Sequence, residues 1–131
     1  MTWEELVQAL GVTPDDNGWL HLTRQQGTTS REHVVQHVTI GDWHLALVQT
    51  SMARDTQLGA AEAVARLVRY PLGALVLSDG YWVLRQALSL EGLTVERLEL
   101  TLRCLDIQAR ELLPRQSQPV AANKHFKHYT E

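Results

Sequence analysis

The sequence predicts an α+β domain, an antiparallel sheet packed by helices in the order α-β-β-β-α-β-β-α, with the chain working as a dimer. Three observations predict the fold. Val95, Leu98, Leu102, Leu105, Ala109 and Leu112 repeat with a 3-4-3-4-3 spacing, the period of one helix face. Two hairpins stand out: His33 to Ile40 with Trp43 to Thr50 around Gly41-Asp42, and Leu75 to Ser78 with Tyr81 to Leu88 around Asp79-Gly80. Strands joined by such short turns pair antiparallel, because a parallel pair needs a long crossover.

The first helix is expected over residues 2–10. Thr2 caps it, Glu5 sits in capping-box spacing, and Gly11 ends it. Its apolar face is Trp3, Leu6, Val7 and Leu10. After a turn at Thr13 to Gly18, Trp19 to Arg24 alternates as a strand, with Leu20 and Leu22 on one side and Trp19, His21 and Thr23 on the other. Gln25 to Arg31 reads as a polar loop carrying Gly27. In the hairpin that follows, glycine first in a two-residue loop suits a type II′ turn. That register sets Val38 opposite Leu45 and Ile40 opposite Trp43, with His37, Thr39, His44 and Ala46 on the other side.

A second helix is expected from Asp55 or Thr56 to about Arg69, rich in alanine and glycine, with Leu58, Val64, Leu67 and Val68 beside them. Small residues let it approach a neighbour closely. Tyr70-Pro71-Leu72-Gly73 breaks it. The last helix has Thr94 as N-cap, Glu96 in the first turn and Leu93 with Leu98 as a hydrophobic staple, and Pro114 stops it. Burying its five larger stripe residues contributes roughly 1.5–3 kcal/mol each, so the helix must lie on the sheet. A second row, Leu100 and Ile107, lies nearly opposite and reads as a further contact face. Residues 1–113 form one domain, and 114–131 are expected to be a mobile tail with Lys124, His125, Lys127 and His128 near its end.

Composition narrows the function classes. A net charge of −3 argues against sequence-independent nucleic-acid binding. No apolar run reaches the ~18 residues of a membrane span. The acidic start, Met1 to Glu5, lacks the features of a secretory signal, and the single cysteine, Cys104, has no intrachain partner, which points to the cytoplasm.

Candidate chemistry is sparse. His33 and His37 have HxxxH spacing without the glutamate of a zinc-protease helix. His21, His37 and His44 on one face of three adjacent strands would make a small metal-binding or enzymatic site. No cysteine or carboxylate is placed to complete a tetrahedral set, so the pattern reads as a solvated polar face. Ser30, Ser51, Ser78 and Ser89 lack the GxSxG turn of a hydrolase nucleophile. Asp15-Asp16 and Glu4-Glu5 read as solvated charges, and the isolated Gly11, Gly18 and Gly27 make no phosphate loop. No catalytic residue, metal or cofactor is expected. What remains is apolar surface: Trp19, Trp43 and Trp82 on strands, the alanine-rich helix and the Leu100/Ile107 row. Self-association or binding of another protein would absorb it.

The element order, together with Arg69-Tyr70-Pro71, the run Leu75 to Leu90, and Leu93-Thr94-Val95-Glu96-Arg97-Leu98-Glu99, resembles the class I type III secretion chaperones, the Tir-chaperone (CesT-like) family. From the second helix onward the chain is also similar to the chaperone subunits that serve the secretion gatekeeper. The resemblance implies a non-enzymatic, cytoplasmic bacterial homodimer or heterodimer. Its partner would be the extended N-terminal segment of a secreted effector or gatekeeper protein, kept non-globular for export. Carried onto this sequence, the client would meet Trp3, Leu6, Val7, Leu20, Leu22, Val34, Val38, Leu45 and Leu47. The dimer contact would use Ala61, Val64, Ala65, Val68 and Trp82. A dimeric regulatory domain binding a folded protein is the other reading of the same surface.

Overall fold

The computed structural model describes residues 1–26, 29–54, 56–68 and 72–112. The elements are α1 (Trp3–Leu10), β1 (Leu20–Gln26), β2 (Thr29–Ile40), β3 (Trp43–Arg54), α2 (Ala60–Leu67), β4 (Ala74–Ser78), β5 (Tyr81–Ser89) and α3 (Val95–Leu112). The strands form one sheet in the order β1-β2-β3-β5-β4, every neighbouring pair antiparallel. The predicted α+β class and element order are those of the structure.

Local chemistry accounts for the boundaries. At the start of α1 the Thr2 hydroxyl accepts from the Glu5 N–H, and the Glu5 carboxylate accepts from the Thr2 N–H, each at 3.1 Å. Gly11 closes the helix at φ +67°, where a side chain would be strained. The β2–β3 register is the predicted one, with His37 opposite Ala46, Val38 opposite Leu45, and Ile40 opposite Trp43. Asp79 and Gly80 both take positive φ, as a type I′ turn requires. Thr94 caps α3 by accepting from the Arg97 N–H at 3.2 Å, and Leu93 and Leu98 are both buried.

Two expected boundaries are corrected. Most of the polar stretch Gln25 to Arg31 is hairpin rather than loop, since Gln25 pairs with Ser30 and Gln26 with Thr29. Polar side chains do not oppose ladder pairing at the solvated end of a sheet. The second helix starts at Ala60, not at residue 55 or 56. Ahead of it the chain turns, the Gln57 N–H donating to Arg54 O at 2.9 Å and the Arg54 N–H to Gln57 Oε1 at 2.9 Å. That turn sends Leu58 into the core. The expected helix break at Tyr70-Pro71, the loop glycine Gly27 and the 114–131 tail lie outside the described residues.

The main core lies between helices and sheet. Leu6 of α1, Ala63 of α2 and Leu98, Leu102, Leu105, Ala109 and Leu112 of α3 meet Leu20, Val35, Ala46, Val48, Met52 and Leu84 of the strands. A smaller cluster, Trp19, Val34 and Val83 with Val76, sits on the opposite face. Polar groups also enter the helix–sheet layer. Buried Asp106 of α3 stands 2.9 Å from Arg24 Nε, 3.2 Å from Arg31 Nε and 3.2 Å from His33 Nε2, which ties the helix to β1 and β2. At the far end of α3, Arg66 of α2 donates to Leu112 O at 2.8 Å. Leu100 and Ile107 remain 49% and 43% exposed.

Candidate binding groove

Three segments far apart in sequence meet at one end of the sheet. They are the first turn of α1, the tip of the β2–β3 hairpin and the β5–α3 connection. Between them lies a groove of about 510 Å³. The capping box sets the first turn of α1, so Trp3 projects over β2 and stacks on His37, ring centroids 5.3 Å apart and planes within 10°. His37 in turn stacks on His44 of β3 at 5.1 Å. The II′-type turn, with Gly41 at φ +59°, brings Asp42, Trp43 and His44 round to the same groove. From the third segment come Leu90 and Glu91, and the Met1 amino group donates to Leu90 O at 2.8 Å.

The stack is preset for contact. His37 Nε2 and His44 Nδ1 are 2.9 Å apart, which needs one donor and one acceptor, so at least one ring is neutral. Burial, reinforced by His44, pushes the His37 pKa below the usual imidazole range, against the opposing pull of Glu4. Trp43 is 55% exposed while its indole N–H donates to Ser89 Oγ at 3.0 Å, so its ring is held in place yet open to a ligand. The other charged groups lining the groove are the carboxylates of Glu4, Glu5, Asp42 and Glu91 and the Met1 ammonium; it contains no Lys or Arg side chain. The Thr2 bonds hold the Glu5 carboxyl below its ordinary pKa.

The residues expected to meet a client fall into two groups. Trp3, Val7, Leu22 and Val38 are half-buried, and Trp3 lines the groove. Leu6, Leu20, Val34, Leu45 and Leu47 are buried within this chain. On α2, Ala61, Val64 and Ala65 are exposed, as is Val68 at its C-cap, with Val64 and Val68 at 68% and 86%. Trp82 is buried, its indole N–H donating to Leu58 O at 2.6 Å. The groove residues Trp43, Asp42 and Leu90 were not among the expected contacts. The sequence signal that could have found it is Trp43, a tryptophan directly after the Gly41-Asp42 turn.

The alternative of a shared His21, His37 and His44 site is ruled out by strand register. His21 pairs with Val34, placing it on the opposite face from His37, which pairs with Ala46. His21 is instead held between carboxylates, Nε2 2.7 Å from Asp15 Oδ2 and Nδ1 2.6 Å from Glu32 Oε1. Among the described residues, no three His, Cys, Asp or Glu side chains assemble as a metal-binding group. No described helix is long and apolar enough to cross a membrane.

Fold and groove together define a small two-layer α+β domain with an open aromatic pocket at one end of its sheet. No protein-family model matches the sequence, and no curated protein matches it significantly. Among solved structures, a chain of the HopA1-SchA chaperone-effector complex has the same fold, with a TM-score of 0.59. The match spans 82% of this chain and 87% of that one at 16% sequence identity, so the likeness is one of architecture.

Proposed function

We propose that this protein is a type III secretion chaperone that binds the extended N-terminal segment of a secreted effector or gatekeeper protein and promotes its export from the bacterial cytoplasm. The observation that carries the reading is the fold shared, over most of both chains, with a chain of a chaperone-effector complex. The groove supports it physically. Exposed aromatic rings fixed by their own contacts lose little freedom when an apolar segment docks against them. The protein acts by binding rather than by catalysis. β1 and β4, at the two edges of the sheet, offer main-chain groups that an extended client can pair with.

In this reading the exposed Val64 on α2 and Val68 at its C-cap are a dimer contact. Light scattering is predicted to give twice the chain mass, and Val64→Glu to halve it without unfolding the protein. An unchanged mass for the variant removes α2 from the interface. The function itself is tested by export. Deleting the gene should lower secretion of one client while sparing others, and Trp3→Ala/Trp43→Ala should fail to restore it. Full restoration by that double variant would move the client site elsewhere on the protein.

A further inference from the structure

We infer that the groove selects an extended apolar peptide segment flanked by Lys or Arg; this rests on the chaperone reading and names the chemistry of its client. Two independent features point to basic flanks. Four carboxylates, those of Glu4, Glu5, Asp42 and Glu91, border the groove against one ammonium, that of Met1, which already donates to Leu90 O, and no Lys or Arg side chain lies among the lining residues. An acidic segment entering here meets an excess of like charge, whereas a basic one pairs with it. The second feature is aromatic. Trp43 is held by its bond to Ser89 with 55% of its surface free, and indole is the best side-chain face for an Arg or Lys cation. The apolar requirement comes from Leu90 and the Trp3–His37–His44 stack, which give the segment between its charged flanks an apolar and aromatic surface to cover.

The test uses the full chain and two short synthetic peptides that share a Leu-Ile-Leu centre, one flanked by Lys and the other by Glu. Calorimetry at low salt is expected to show the Lys peptide binding at least about tenfold more tightly, with the advantage shrinking as salt rises. Glu4→Gln/Asp42→Asn, two exposed positions, should reduce the preference while circular dichroism stays unchanged. Trp43→Ala should weaken both peptides. Equal affinity for the two peptides, or a preference untouched by the charge variant, overturns the inference. So does a drop in mass on Trp43→Ala, which would assign the groove to a second copy of the chain. If the inference fails while a co-expressed client is still held, the chaperone reading stands alone. If the peptide preference holds but no secreted protein is retained, the groove chemistry is right and the chaperone reading is wrong.

Discussion

Asp106 shows how one side chain can join two layers of a domain. It is buried on α3, yet its carboxylate meets Arg24 and Arg31 from β1 and β2, with His33 beside it. Burial works to raise its pKa, but neighbouring His33, Arg24 and Arg31 outweigh that and hold it below the ordinary carboxylate range. A depressed folded pKa gives stability that is present above the unfolded value and lost as pH falls through the folded one. Asp106→Ala leaves two guanidinium groups facing each other without a counter-ion. Chemical denaturation is predicted to show a loss of ~3 kcal/mol, softened at Arg24 by its partial exposure. His21 has the opposite sign. Burial lowers its pKa, but Asp15 and Glu32 raise it by more, so it lies above the usual value. Its contribution is complete below about pH 6.5 and fades as pH rises through the higher folded value. Melting temperature across that range should therefore fall faster in the wild type than in His21→Gln; parallel curves would show that the bridge contributes nothing. Neither pair was visible in the sequence. An aspartate on a helix and a histidine on a strand read as solvated until register and packing set their partners beside them.

At the scale of elements, α3 was the most legible part of the chain. Its cap, staple and stripe lie within one continuous stretch, and local rules suffice to orient it. Leu98, Leu102, Leu105, Ala109 and Leu112 are all buried as the 3-4 spacing requires. Leu105→Ala is predicted to cost 2–5 kcal/mol in denaturant unfolding, the range for an aliphatic side chain removed from a packed core. Leu100→Ser/Ile107→Ser, on the exposed side, should leave the unfolding midpoint nearly unchanged. A large loss in that double variant would mean that the helix is buried all round. The α2 boundary was harder to read, because a run of small residues carries a helix signal that extends past its true start. The turn built by Gln57 and Arg54 needs a side chain to return to the backbone, which periodicity does not record.

On the scale of the whole molecule, the fold was legible and the groove was not. Hairpins and helix stripes are local signals, so the α+β class and the order of elements followed from them. The groove needs residues 1–5, 37, 42–44 and 90–91 together, and only the finished sheet, with β5 inserted between β3 and β4, sets those segments side by side. Several apolar strand positions expected to face a client, Leu20 and Val34 among them, are buried within the chain, because alternation identifies a face but not what covers it. Trp3 lies where both readings agree. The most direct test of the account is amide hydrogen exchange on the protein alone and in complex with the N-terminal segment of a co-expressed secreted client. The account predicts new protection around Trp3, the Asp42-Trp43-His44 tip and Leu90, with the bound segment showing no cooperative fold of its own. Protection confined to other surfaces, or capture through a folded domain of the partner, would contradict it.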